Sequence, residues 1–366
     1  MKAKRMKDEN EEEKEVKEEK EVKTKKHKKK KRHIFLKIVL FLIALIVILA
    51  GVLFGYVYSK LGQVNYEEID LNQVEVNEGV EIAKGYKSIL LLGVDSRSGD
   101  SVKSYESSLS DTIMVVSINQ DTKKVKIASI YRDTYTKQGN RYDKVTHAFA
   151  RGGAANSLSV INTNFDLDLK QYVAVNFAVV VDVVEAVGGI ELELTSEEVK
   201  YINKYITEVN NVTGHSSPPI KKAGTYNLDG VQALAYARIR YTSGGDWKRT
   251  ERQREVLDKV FAKAKKMNIG QLNNMVNKVS EKLSTNITKG EILGLLTQIA
   301  SYDIEETMGW PETKGYMPES AWFGAPVNLE KQIKILHEFL YDEEEYEVSE
   351  AAKAISDYII KKTGYK

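Results

Sequence analysis

Five arginines fall within seventeen residues of this chain, Arg238, Arg240, Arg249, Arg252 and Arg254, with Asp246 and Gln253 among them. Planar, permanently charged guanidinium groups at this density suit oxyanions, phosphate above all, because each can donate two parallel hydrogen bonds. In a helix over 249–266, Val256, Leu257, Val260 and Phe261 make the inward stripe, and stepping back by three or four residues reaches Gln253 and then Arg249. Polar groups therefore stand where core belongs. An inward arginine in the first turn adds its donors to the free backbone N–H groups and the positive end of the helix dipole. The plainer alternative is that Asp246 caps the helix while the arginines form surface ion pairs.

Two further clusters sit at the ends of apolar runs. Gly93-Val94-Asp95-Ser96-Arg97 closes one run, Asp111 opens the next, and Tyr131-Arg132-Asp133 closes a third. Open α/β sheets place their ligand crevice at such strand ends. Asp95 and Asp111, if brought together, could hold Mg²⁺, which uses few protein carboxylates and completes its shell with water and phosphate oxygens; turn-forming aspartates are the alternative. Arg132 could enter the same crevice or simply bridge to Asp133. Lys144, His147 and Arg151 recur at spacings of three and four, a basic helical face that solvation explains equally well.

The elements that carry these groups alternate in type. Strands are predicted at 88–93, 112–118, 125–131, 172–175 and 190–194. Helices are predicted at 144–164, 177–186, 231–237, 249–266, 271–284, 289–300 and 328–341. This gives an α/β domain with a central mixed β-sheet flanked by helices. Residues 205–227, with Pro218-Pro219, read as a loop, and 343–366 as a charged tail with a mildly amphipathic stretch at 351–360, docked or loose.

The N-terminal part cannot belong to that domain. Residues 1–33 hold fifteen Lys or Arg against nine Asp or Glu, so they contribute +6 to a net charge of +2, and almost nothing in them is apolar. Residues 38–58 carry no charge, enough at about 1.5 Å per residue to cross a hydrocarbon layer about 30 Å thick. The expected plan is a disordered cytoplasmic tail (1–33), one transmembrane helix (34–58), a juxtamembrane stalk (59–86), a folded domain (87–342) and the tail (343–366). The dense positive charge before the span places the N-terminus in the cytoplasm and the folded domain outside. A cleaved signal peptide fits less well, since the apolar core is long and no small-residue cleavage pattern follows it. The absence of cysteine excludes disulfides, thiolate metal sites and a cysteine nucleophile. A tail whose Lys is interleaved with many Glu, tethered to a membrane, gives no reason to expect a nucleic-acid partner.

The blocks 91–97 (LLGVDSR), 110–114 (SDTIM), 129–133 (SIYRD), 144–153, 175–177 (VNF), 188–190 (GGI) and 228–253, in this order, resemble the LytR-CpsA-Psr family of membrane-anchored phosphotransferases of the Gram-positive envelope. The resemblance spans about residues 86–341. It implies transfer of an undecaprenyl-pyrophosphate-linked glycopolymer, such as teichoic acid or capsular polysaccharide, onto a peptidoglycan hydroxyl as a phosphodiester. Carried onto matching positions, it implies Asp95 and Asp111 as Mg²⁺ ligands and Arg132, Arg238, Arg240, Arg249 and Gln253 as the pyrophosphate grip. Arg132, Arg249 and Asp246 would then be the catalytic set, Asp246 as base or as the group orienting Arg249. It also implies an apolar channel for the polyprenyl chain, for which the valines around 173–187 are candidates alongside ordinary core. Trp247-Lys248 departs from the family's usual small aromatic-glycine step. A noncatalytic lipid-pyrophosphate binder, a pyrophosphatase and a membrane-bound transcriptional attenuator are the competing readings.

Overall fold

A computed structural model describes residues 66–95, 108–318 and 321–366. The expected cytoplasmic tail, the membrane span, the first part of the stalk and Arg97 lie outside the described residues. Among the described residues no helix is long and apolar enough to cross a membrane.

The chain runs β1 (Tyr86–Val94), β2 (Ser110–Asn119), β3 (Lys124–Ile130), β4 (Tyr135–Gln138), β5 (Arg141–Lys144) and α1 (His147–Phe165), then β6 (Gln171–Val175), α2 (Phe177–Ala186) and β7 (Ile190–Leu194). It continues through α3 (Ser196–Thr213), β8 (Gly224–Leu228), α4 (Gly230–Ala237), α5 (Gly245–Ala264), α6 (Ile269–Val279), β9 (Ser284–Thr285) and α7 (Lys289–Thr297). β10 (Asp303–Trp310), β11 (Thr313–Tyr316), β12 (Phe323–Pro326), α8 (Leu329–Tyr341) and α9 (Glu350–Thr363) complete it. Helix starts follow side-chain capping: Asn176 accepts from the Val179 N–H, and Thr195, Asp229, Asn268 and Thr288 each form a capping box.

Six strands form the central sheet in the order β10-β3-β2-β1-β6-β9. β1 pairs parallel with β6 and antiparallel with β2, and β3 pairs antiparallel with β2 and parallel with β10, so the sheet is mixed, as expected. Residues of β1 alternate between layers. Leu90, Leu92 and Val94 enter one core with α1, α8 and α9, while Ile89 faces a second core under α5 and α7. A third core joins α2, α3, α4 and the β7–β8 hairpin.

The topology decides where polar side chains can gather. The C-terminal ends of β1, β3 and β6 and the start of β2 share one edge of the sheet, which puts Asp95, Asp111, Arg132 and Asn176 at one end. Gly93 faces Thr112 so closely that a Cβ would stand 2.8 Å from the Thr112 Cβ, and the pairing slips between Gly93 and Val94. A larger residue at 93 would push β2, and Asp111 with it, away from β1.

Several expectations need correction. Residues 205–213 are not loop but the second half of α3, whose Ile202, Tyr205, Ile206 and Val209 are buried; the dense polar residues between them hide the helical period. β8 occupies 224–228 of the same stretch. The helix expected from residue 144 begins at His147, because Tyr135–Lys144 first form a hairpin. Residues 66–86 do not hang free as a stalk: Val74 is buried in the main core, and Glu67 accepts hydrogen bonds from Tyr172 at 2.8 Å and Ser284 at 2.8 Å. Nor is 343–366 a loose tail. Asp166 accepts from the Ser349 N–H at 2.6 Å and from its hydroxyl at 2.7 Å, and Ala352, Ile355 and Ile359 of α9 are buried in the same core.

Because α9 is thus part of the fold, Ile359→Ala should lower the unfolding free energy by about 2–4 kcal/mol, the usual cost of emptying a buried aliphatic site. Denaturant unfolding followed by circular dichroism reads this; an unchanged midpoint would mean that the helix is not docked in solution.

Candidate active site

The sequence spaces its acids and arginines over 150 residues, and the fold brings most of them to one point. Asp111 lies at the centre. Its Oδ1 accepts from Arg132 Nη1 at 2.6 Å, its Oδ2 from Arg240 Nη2 at 3.1 Å, and its backbone carbonyl from Arg249 Nη2 at 3.4 Å. Asp246, in the first turn of α5, pairs with Arg249 at 2.9 Å and lies 3.9 Å from the Arg132 Nε. The α5 start is a sharp turn made possible by Gly244 and Gly245, both at positive φ (92° and 53°). Asp133 stands 3.5 Å from the Arg132 Nε and Asp95 lines the same end, so the three guanidinium groups are held among carboxylates.

Burial sets Arg249 apart from the other two. Arg249 is only 2% exposed, and its Nε and Nη1 find no hydrogen-bond partner among the described residues; neither does the buried Oε1 of Gln253, one turn further along α5. Buried donors without partners are costly, by roughly 1–3 kcal/mol each, so their presence marks a place completed by something else. Burial, with the repulsion of Arg240 and Arg132, pulls the Arg249 pKa down to about 10 despite the attraction of Asp246. For Asp111, burial alone would raise the pKa. The charges of Arg132 and Arg249, the hydrogen bond from Arg132 and the charge of Arg240 outweigh it and hold the carboxyl below its ordinary value.

This charged end opens into a cavity of about 650 Å³. Asp95, Asp111, Arg132, Arg240, Arg249 and Gln253 line its polar part, and Leu91, Met114, Val173, Val180, Val183 and Val260 are among the side chains of its long apolar part. The valines of β6 and α2 thus face a void as well as a core. Arg238 lines the same cavity but has different partners: its guanidinium lies over the Phe177 ring at 4.6 Å and the Tyr205 ring at 5.5 Å, with Glu208 at 3.5 Å. It belongs to the apolar wall and not to the Asp111 cluster.

The remaining basic residues settle elsewhere. Lys144 pairs with Asp133 at 2.8 Å, His147 with Asp143 at 2.9 Å, and Arg151 also with Asp143, so the expected basic face is a set of ion pairs. Arg252 is buried against Glu198, a contact no spacing in the sequence announced, since Glu198 reads as an ordinary capping residue of α3. Among the described residues no group of three or more His, Cys, Asp or Glu could hold a metal. Two aspartates that both line the cavity beside open space suit a cation such as Mg²⁺, which takes most of its ligands from water and phosphate.

A sheet end that gathers arginines beside a long apolar cavity defines a domain built for an amphiphile with an anionic, phosphate-like head. The chain belongs to the LytR_cpsA_psr family, whose model matches residues 52–325. It is 30% identical over 291 residues to the polyisoprenyl-teichoic acid–peptidoglycan teichoic acid transferase TagT of Bacillus subtilis, covering 76% of this chain and 84% of that protein. It is 31% identical over 258 residues to the corresponding transferase TagU of Enterococcus faecalis, covering 67% and 77%. Similar solved structures include TagT bound to LI-WTA (TM-score 0.60, 27% identity, 75% of this chain and 99% of that one). Another is the LytR-CPS2A-psr family protein YwtF (TagT) with bound octaprenyl pyrophosphate lipid (TM-score 0.56, 26% identity, 75% and 99%).

Arg249 contributes unsatisfied, desolvated charge to the folded state, so Arg249→Met should leave the melting temperature unchanged or raised. Affinity for inorganic pyrophosphate should fall about 10- to 100-fold, the worth of one or two charge-assisted bonds. Calorimetric titration and thermal melting measure the two. An unchanged affinity in Arg249→Met would remove Arg249 from the binding set.

Proposed function

We propose that the protein transfers a glycopolymer from an undecaprenyl-pyrophosphate carrier onto peptidoglycan as a phosphodiester, in assembly of the cell wall. The observation that carries this is the continuity of the cavity. An apolar tunnel wall of β6 and α2 side chains runs into a cluster of arginines with unpaired buried donors, the shape and polarity of a polyprenyl chain ending in pyrophosphate. The relatives named as teichoic acid transferases, and the neighbour with bound octaprenyl pyrophosphate, support the same reading.

In this reading Arg132, Arg240 and Arg249 turn their donors from Asp111 to the phosphate oxygens, and Gln253 steadies the head group. The acceptor hydroxyl oxygen forms a bond to the phosphorus that carries the glycopolymer. The bond from that phosphorus to the bridging oxygen breaks, and polyprenyl phosphate leaves with the electron pair. Asp246, at the rim of the site and 31% exposed, takes the hydroxyl proton. Guanidinium groups already fixed in place stabilise the charge that builds on the nonbridging and leaving oxygens. Asp95 and Asp111 would hold Mg²⁺, which when bound neutralises pyrophosphate charge and polarises the phosphorus. Released from the arginines, Asp111 has both carboxylate oxygens to offer such an ion.

The protein would be anchored by its single N-terminal span with the domain on the outer face of the membrane, where its lipid-linked donor and peptidoglycan meet. That anchoring, the Mg²⁺ requirement and the choice of polymer belong to the proposal.

The full-length protein in detergent, given a polyprenyl-pyrophosphate-linked saccharide, a peptidoglycan oligomer and Mg²⁺, should form a phosphodiester-linked product. Asp111→Ala or chelation of Mg²⁺ should reduce the rate at least about 100-fold. Release of free saccharide phosphate without any linked product would favour a pyrophosphatase, and donor binding with neither outcome a carrier-binding protein.

A further inference from the structure

Behind the arginine cluster lies a buried ion pair that phosphate binding does not use. Arg252 of α5 is 2% exposed and spends every arm of its fork. Its Nε donates to Glu198 Oε1 at 2.9 Å, its Nη1 to the Ile239 carbonyl at 3.2 Å and its Nη2 to Thr242 Oγ1 at 2.8 Å. The guanidinium also lies 5.7 Å from the centre of the Tyr236 ring. Glu198 is held in turn, its Oε2 accepting from the Thr195 N–H and hydroxyl, both at 2.9 Å. Its neighbour Glu197 accepts from the Ser243 N–H at 3.1 Å.

Each of these bonds ends on, or supports, the connection 238–244 between α4 and α5, which carries Arg240. That connection has no secondary structure of its own, ends on two glycines at positive φ, and exposes Tyr241 to 64%. Without external anchors it would have many conformations, and Arg240 would reach Asp111 in few of them.

We propose that the Arg252–Glu198 pair is a positioning device that fixes the 239–243 segment so that Arg240 meets Asp111 and the pyrophosphate. The inference rests on the reading of the site as pyrophosphate-binding. A buried ion pair adds little net stability over a well-packed apolar pair, so stability alone does not account for it. What the charged pair supplies is direction, three donors aimed from a rigid helix at a backbone carbonyl, a hydroxyl and a carboxylate.

The test pairs Arg252→Met/Glu198→Gln, which removes both charges at similar volume, with Arg252→Lys, in the full-length protein. Two probes are used: inorganic pyrophosphate with Mg²⁺ for binding, and amide hydrogen exchange for the segment. The double variant should melt within a few degrees of wild type, exchange the amides of 239–243 at least about tenfold faster, and bind pyrophosphate about tenfold more weakly. Adding Arg240→Met should cost affinity in the wild-type background and almost none in the double variant, because both changes remove the same contact. Arg252→Lys should recover part of the affinity. Unchanged exchange, or an equal cost of Arg240→Met in both backgrounds, would overturn the proposal. If wild type itself does not bind pyrophosphate, the reading of the site fails, and hydrogen exchange alone then decides the anchoring.

Discussion

Three guanidinium groups, from β3's end, the α4–α5 connection and α5, converge on Asp111, two of them on its carboxylate and Arg249 on its backbone carbonyl. Without the carboxylates of Asp111 and Asp246 they would repel one another in a partly desolvated pocket, and with them they are held together, ready to turn to an anion. The rest of the structure is arranged to meet this constraint. The antiparallel β1–β2 pairing sets the position of Asp111, the glycine at 93 permits the close approach, and the glycine turn at 244–245 starts α5 where Arg249 points inward. Electrostatic preorganisation of this kind costs stability in the empty protein, as the unpaired donors of Arg249 and the unpaired amide oxygen of Gln253 record.

The second constraint is the apolar cavity joined to that charge. A void lined by valines and leucines in an otherwise close-packed domain forfeits dispersion contacts, so it is maintained for an occupant. Side chains of the sheet and of α2 line the void, and the arginines line it with them. Head and tail of one amphiphile can then be bound together, which a charged patch or a groove alone would not achieve.

Much of this was legible in the sequence. The inward stripe of α5 pointed to Arg249 and Gln253, and the apolar runs ending in Asp95 and Arg132 pointed to one sheet edge. Arg238, two residues from Arg240, was not separable from it: the α4 C-terminus rotates it onto Phe177 and Tyr205, and spacing carries no information about that turn. The Glu198–Arg252 pair joins residues 54 apart and looks locally like a cap and a surface charge. The strands within 303–326 escaped because they are short, mixed in polarity and stabilised by tertiary contacts more than by local pattern, while the mildly amphipathic 351–360 stretch left α9 open between docked and loose, which only its tertiary contacts decide. The polar run through α3 concealed a helix whose buried apolar face is only Ile202, Tyr205, Ile206 and Val209.

The central claim is that one site binds both the pyrophosphate and the lipid. It is tested most directly by a crystal structure of the protein with a polyprenyl pyrophosphate and Mg²⁺. The expected complex has Arg132, Arg240 and Arg249 within hydrogen-bonding distance of the phosphate oxygens, Asp111 released from at least one arginine, and the prenyl chain along the valines of β6 and α2. A head group bound elsewhere, or a lipid lying outside the cavity while the arginines remain on Asp111, would contradict it.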